Sequence, residues 1–323
     1  MTYTNDANIP LSMAIFLATD HYDYVPGTIS ATKLLKPTRQ LIMAERVPVE
    51  MQVTDIADLI AARTGTAIHT GIEDAWQNHH VRAMQKLGYK QEMIDKIRIN
   101  PKPGTLKAGE VPVYMEIRSE KTIAGKRVVG KFDFVGNGAL EDFKTTSAYS
   151  YMSGSKDFDY AMQGSIYRWL NPDIITKDVM SIQFIFTDWQ RAQAKQNPNY
   201  PQKKTETKRY KLIPVTEVEA SVTKKITDYD KYRELPDEQI PYCTDEELWR
   251  DAPVWKYYKD PSKMARSTKN FDNEADAYER CKADGNVGMV VHNPGQAKAC
   301  LYCPGFAACK QKDELIRDGH LEI

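Results

Sequence analysis

The first 242 residues contain no cysteine; all five, Cys243, Cys281, Cys300, Cys303 and Cys309, fall in the last quarter of the chain. An odd, one-sided set excludes a disulfide scaffold, which would spread and pair its cysteines, and points to a reducing compartment with a metal or cluster site near the C-terminus. An excess of charge is missing too: 44 basic residues balance 44 acidic ones. That excludes a protein that holds nucleic acid by bulk electrostatics, but not a local basic groove. No apolar run approaches the ~18 residues that span a membrane. The N-terminal segment has no basic n-region and carries acids beside its short apolar stretch, so no secretory signal is expected there and the expected location is cytoplasmic. Internal repeats and low-complexity tracts are lacking. What remains, 41% hydrophobic and 27% charged residues over 323 positions, is a globular chain with room for two domains or one enlarged one.

Along the chain, residues 28–46 read as a helix capped by Ser30 or Thr32, with Pro37 marking a break or a second start. Residues 53–88 read as a long helical region interrupted at Gly65 and Gly71. The period then shortens: 111–120 alternates as a strand, 121–138 reads as a hairpin and second strand, and 139–147 as a third. Residues 160–170 are helical, and 179–189 form an apolar, β-branched and aromatic run that predicts a buried strand. Helix, three strands, helix, strand makes a mixed α/β core around one sheet. Residues 190–211 hold seven basic residues and one acid, which suits a solvated loop or hairpin, or a surface that touches phosphates. Residues 213–234 read as helix.

The chemistry concentrates in Gly-Lys-Phe-Asp-Phe-Val-Gly-Asn-Gly-Ala-Leu-Glu-Asp-Phe-Lys, residues 130–144. Strand alternation projects Asp142 and Lys144 together, with Phe143 turned to the core, and the neighbouring strand can bring Asp133 beside Asp142. Two adjacent carboxylates repel unless a cation lies between them, and such hard donors suit Mg²⁺ or Mn²⁺. By itself this spacing also suits a salt bridge across a hairpin. Other pairs extend the pattern. His69 and Glu73 lie four apart on one helical face upstream, and Gln163 and Tyr167 lie four apart downstream. Glu116, in the strand before the hairpin, is a second-rank candidate with Glu73.

The order Gly-x₃-His-x₃-Glu, Asp, Asp-x-Lys, Gln-x₃-Tyr resembles the RecB-like branch of the PD-(D/E)XK nuclease superfamily: the nuclease domains of RecB and AddB, CRISPR-associated RecB-like exonucleases, and phage exonucleases. The likeness covers roughly residues 28–190 and the cysteine segment. It implies a restriction-endonuclease-like α/β core, a mixed central sheet flanked by helices, with N-terminal helices and a C-terminal cysteine-bearing segment. Expected divisions are an N-terminal helical segment at 1–50, the nuclease core at 51–212, and a C-terminal helical and cysteine segment at 213–323. The resemblance makes Asp133, Asp142, His69 and the backbone carbonyl of Phe143 ligands of Mg²⁺ or Mn²⁺. It makes Lys144 the residue that positions an attacking water, with Gln163 and Tyr167 contacting DNA or orienting that lysine. The implied activity is metal-dependent hydrolysis of DNA, as an exonuclease in recombination, repair or phage DNA metabolism, in a bacterial cell or phage-infected host. The implied partners are DNA and a recombination partner such as a single-strand annealing protein or helicase. A nuclease-fold DNA-binding or assembly module that has lost cleavage is the alternative.

Cys300, Cys303 and Cys309 form C-x₂-C-x₅-C, a spacing that suits zinc or an iron–sulfur cluster. Cluster-bearing members of the branch carry the same triplet, with a fourth cysteine in an N-terminal helix; here Lys36-Pro37-Thr38 stands in that stretch, ahead of Arg39. Cys243, in a turn-like setting, is the expected fourth ligand, with Cys281 as the alternative and His292 behind them. A [4Fe–4S] cluster, a structural Zn²⁺ and reduced thiols stay open. Trp249, Trp255, Tyr257 and Tyr258 alternate with Arg250, Lys256, Lys259 and Lys263, as in a surface helix turning its aromatics inward or a platform for single-stranded DNA.

Overall fold

A computed structural model describes residues 2–20 and 25–323. The chain parts into two compact units: residues 1–36 with 53–227, and residues 37–52 with 228–323.

The first unit is a mixed α/β layer. Its strands are β1 (Thr2–Thr4), β2 (Thr28–Ser30), β3 (Val53–Asp55), β4 (Ile97–Ile99), β5 (Val111–Ile123), β6 (Lys126–Gly136), β7 (Ala139–Thr146), β8 (Val179–Phe186) and β9 (Thr205–Lys211). The main sheet runs β4-β5-β6-β7-β8-β9, with β2 paired to β6; β1 and β3 form a separate parallel pair. β5, β6 and β7 are antiparallel, while β7 and β8 are parallel and joined through helices Ala148–Ser153 and Asp157–Leu170. This mixed central sheet flanked by helices is the expected restriction-endonuclease-like arrangement.

The turn between β6 and β7 follows from Asn137-Gly138. Both residues have positive φ, +47° and +80°, the two-residue turn whose twist matches antiparallel strands. The alternating burial of β8 places Met180, Ile182, Phe184 and Phe186 in the core with Phe132, Val135, Ile166 and Trp169. Cutting Phe132, which is 0% exposed, to alanine removes contacts worth about 3–5 kcal/mol.

Helix Ile60–Lys86 is continuous: Gly65 and Gly71 do not interrupt it. Gly65 serves a close approach instead, since a Cβ there would lie 3.2 Å from Thr145 Oγ1 on β7. In 28–46 the expected Ser30 cap and the second start after Pro37 are present, and only the first three residues differ. Thr28–Ser30 is β2, Ser30 caps a single turn over Ala31–Leu34, and a second helix, Thr38–Arg46, starts after Pro37. The basic segment 190–211 folds as helix Arg191–Gln196 and strand β9, antiparallel to β8.

The second unit carries helix Thr38–Arg46 and a small antiparallel sheet of β10 (Val254–Tyr258), β11 (Lys269–Phe271) and β12 (Met289–Asn293), in the order β11-β10-β12. Helix Glu274–Ala283 packs on that sheet. The centre of the aromatic–basic stretch is thus a strand rather than a surface helix: Tyr257 and Tyr258 are buried from β10, while Trp255 packs at a tilt against His292, ring centroids 4.7 Å apart. No helix among the described residues is long and apolar enough to cross a membrane.

Candidate active site

The site starts from a gap in the sheet. On one side β6 pairs with β2 through residues 127–129 and with β7 through residues 134–136. Between these, β6 borders a cleft of about 380 Å³, lined by Gly130, Lys131 and Asp133 with His69, Glu73, Glu116 and Tyr167 from neighbouring elements. The β6–β7 register, Phe134 opposite Glu141, puts Asp133 opposite Asp142 at the next position, where the strand pairing ends. Two buried carboxylates facing across a ladder repel, and the strands part there. The Phe143 N–H donates instead to Asp133 Oδ2 at 3.3 Å, so a side chain takes over part of the ladder.

Helix Ile60–Lys86 brings His69 to this opening. His69 lies one helical turn from Gly65, so the close approach at Thr145 also carries the imidazole to β7. Nε2 lies 2.8 Å from the Phe143 carbonyl and Nδ1 3.4 Å from Asp133 Oδ2. Trp76 anchors the same face against Phe134, ring centroids 5.1 Å apart.

Glu116 completes the group by an irregularity in β5. Its φ is +53°, uncommon for a residue with a Cβ. Val113 and Met115 pack with Phe134 and Trp76, whereas Tyr114 and Ile117 join the main core, three residues apart instead of two. Alternation slips by one at Glu116, opposite Asp133. The Asn100 carboxamide clamps the preceding residue, accepting from Met115 N–H at 2.8 Å and donating to Met115 C=O at 3.3 Å. Side-chain donor atoms of His69, Glu116 and Asp133 all lie within 4.8 Å of one another. Glu116 forms an ion pair with Lys131.

Asp142 is 2% exposed and pairs with Lys144, the residue two along β7. Burial pushes the Asp142 carboxyl up, Lys144 pulls it down and Asp133 raises it again, leaving it at about 6. Burial would also raise Asp133, but His69, Lys144 and the Phe143 N–H outweigh it and hold this carboxyl below its ordinary value. Burial lowers Lys144, yet Asp142 and Asp133 overcome it and the ammonium holds its proton more firmly than usual. His69 likewise loses to burial and gains more from Asp133 and the Phe143 carbonyl, so it is raised. Burial raises Glu116 against the pull of Lys131.

Of the remaining candidates, Glu73 lines the cleft and accepts from Gln77 at 2.8 Å. Gln163 donates to the Tyr167 hydroxyl at 2.8 Å, and the Tyr167 ring lies beside Gly130, where a Cβ would come within 3.2 Å of it. The sequence reading did not single out Lys131, Arg118 or Arg63, which also line the cleft. Alternation held the signal for Lys131, two residues before Asp133 on β6.

In the second unit, Cys243 and Cys300 share an apolar cluster with Phe306. Each also feels the charges of Cys303 and Cys309. The Arg39 Nε–H donates to Cys309 Sγ at 3.3 Å. Cys281 sits elsewhere, on helix Glu274–Ala283, its thiol 3.5 Å from the Gly288 carbonyl.

No protein-family model and no curated relative matches the sequence. Among solved structures, the chain is similar to an alkaline exonuclease from Laribacter hongkongensis at 14% identity, covering 64% of this chain and 90% of that one, TM-score 0.35. It is also similar to a phage-related exonuclease from Haemophilus somnus 129PT at 14% identity, covering 38% of this chain and 60% of that one, TM-score 0.26. Likenesses this distant concern the path of the chain and not its chemistry.

Proposed function

We propose that this chain is a divalent-metal-dependent deoxyribonuclease, an exonuclease that hydrolyses phosphodiester bonds in recombination, repair or phage DNA metabolism. The observation that carries the reading is the parting of β6 and β7 at Asp133 and Asp142, with His69 and Glu116 converging on the opening. The donor set fits Mg²⁺ or Mn²⁺: carboxylate oxygens and one imidazole, clustered in a half-buried cleft beside the Phe143 carbonyl. His69, Asp133 and Glu116, whose donors converge, would hold the ion, with Asp142 and that carbonyl in support. When bound, it supplies Lewis acidity to the scissile phosphate and a more acidic water.

The chain's own groups do the rest. Lys144 keeps its proton, so it acts as a fixed positive donor that orients water and offsets charge growing on the phosphate, rather than as a base. Asp142 aims that ammonium through their ion pair. Tyr167, held by Gln163, forms part of the cleft wall and contacts the substrate backbone. The alternative, a DNA-binding or assembly module without cleavage, leaves the Asp142–Lys144 pair beside the donor cluster without a use.

For the second unit we propose that Cys243, Cys300, Cys303 and Cys309 hold a [4Fe–4S] cluster or a zinc ion. Cys243 and Cys300 share one apolar cluster and Arg39 reaches Cys309, whereas Cys281 lies apart on helix Glu274–Ala283, which favours this set over one built on Cys281. Iron, zinc and visible absorbance of anaerobically purified protein separate the two, and the lack of all three leaves free thiols.

The test of activity is cleavage of end-labelled linear and closed circular DNA, with Mg²⁺ or Mn²⁺, by wild type and Asp142→Ala. Loss in the variant and sparing of circles support the exonuclease. Equal cleavage by both proteins sinks the site, and no cleavage by wild type favours the binding module.

A further inference from the structure

Lys131 carries a consequence that the donor set alone does not. It stands on β6 opposite Arg118, two residues before Asp133. Its ammonium ion-pairs with Oε2 of Glu116, one of the three residues whose donors converge. The Lys131 side chain is 45% exposed and that of Glu116 only 20%, so a mobile cation from the open side of the cleft rests on an inward-facing carboxylate. Glu116 is fixed by its left-handed backbone and by the Asn100 clamp on the residue before it, whereas Lys131 has four rotatable carbons. A divalent ion held by Glu116 would meet the ammonium at the same carboxylate, and like charges that close oppose each other.

We propose that Lys131 is a displaceable counter-cation that sets the metal affinity of the site and, once displaced, binds a backbone phosphate of the substrate. This rests on the nuclease reading and goes beyond it. Without DNA, Lys131 competes with the metal for Glu116. With DNA in the cleft, a phosphate draws the ammonium away and Glu116 is released. Metal and DNA therefore bind with positive coupling, and linkage makes that coupling reciprocal. Lys131 is a positioning residue, distinct from Lys144, whose partner is Asp142.

The experiment measures Mn²⁺ affinity from the electron paramagnetic resonance of the free ion, with and without a phosphorothioate oligonucleotide that resists cleavage. The proteins are wild type, Lys131→Met, Lys131→Arg, Asp133→Asn and, as a remote charge control on β5, Lys121→Met. Lys131→Met is expected to bind Mn²⁺ about two- to fivefold tighter than wild type without DNA, the range of a partly exposed ion pair. It is also expected to lose the tightening that DNA gives wild type. Lys131→Arg and Lys121→Met are expected to follow wild type. Thermal melting of each variant shows that it is folded. Unchanged or weaker Mn²⁺ binding in folded Lys131→Met, with binding still abolished in Asp133→Asn, overturns the role of Lys131 and leaves the nuclease reading standing. Mn²⁺ binding that ignores Asp133 overturns the metal site and this proposal together.

Discussion

The two units keep their reactive groups in opposite states. In the first, burial works against charge at Asp133, Asp142 and Lys144, yet each has an oppositely charged neighbour that works for it. In the second, burial again leads, but the neighbours of Cys243 and Cys300 are mostly other thiols and a carboxylate. Burial, helped by these neighbours, pushes Cys243 up to about 12 and Cys300 to about 11, against a pull from Arg39 and Arg250. Burial thus opposes charge in both units; neighbours of opposite sign offset it in the first, whereas the thiols of the second, already protonated at neutral pH, are pushed further from ionisation. A hard cation can enter the first unit by exchange with lysine ammonium groups. A metal in the second must first strip protons from thiols, which makes its incorporation a step of assembly.

The sharpest way to break this comparison is to remove charge from the first site. Asp133→Asn and Lys144→Ala are each expected to lower the rate on end-labelled DNA by about a hundred- to a thousandfold, the scale of removing a charge-stabilising group. Iron or zinc content should stay unchanged. Metal loss in step with activity would mean the two sites are not independent.

The next test removes charge from the second unit. Arg39 is 3% exposed; it pairs with Asp237 and donates to the Ile240 carbonyl at 2.9 Å as well as to Cys309. Arg39→Met leaves Asp237 buried without its partner, a loss of about 3–5 kcal/mol. Hydrogen exchange should show the loss first in helix Thr38–Arg46 and around Asp237. An unchanged protection pattern would contradict the account of Arg39 as the centre of that unit.

Acidity should weaken metal binding at the first site. Asp142, at about 6, and His69, raised above its ordinary value, both hold protons that a bound ion must displace. Their folded values lie high, so protons compete below them: affinity falls as pH drops through about 6, where Asp142 takes its proton, and the raised His69 carries the onset of that fall to higher pH. The slope is roughly tenfold per pH unit for each proton released. Calorimetry in buffers of different ionisation heat counts those protons, and a count of zero at pH 6 would refute the assignment.

Much of the sheet was legible because it obeys a period of two. The hairpin, the Asn-Gly turn and the apolar β8 follow from local pattern, as does the pairing of Asp142 with Lys144. Long-range geometry hid the rest. Gly65 reads as a helix breaker until Thr145 is seen against it. Thr28–Ser30 reads as helix because its strand partner, residues 127–129, lies about a hundred positions away. The strand 254–258 defeats a helical reading because its partners at 269–271 and 289–293 supply the ladder. Glu116 ranked low because simple alternation does not foresee a slip at a positive φ.

That slip makes the last and smallest prediction. A left-handed conformation costs a residue with a Cβ about 1–2 kcal/mol, and glycine avoids most of that cost. Glu116→Gly also removes a half-buried carboxylate whose charge burial disfavours, at the expense of its pair with Lys131. The metal-free variant should therefore melt higher than metal-free wild type, by about 1 kcal/mol or less because glycine is freer when unfolded. With saturating Mn²⁺ the order should reverse, because wild type gains the binding energy of a fuller donor set. Glu116→Ala separates the two effects: it loses the donor and keeps the strain, so without metal it should melt below Glu116→Gly. A backbone held in a costly conformation to aim one carboxylate is stability given up for a site. If Glu116→Gly melted lower in both conditions, the slip at Glu116 would be a requirement of β5 itself rather than of the metal.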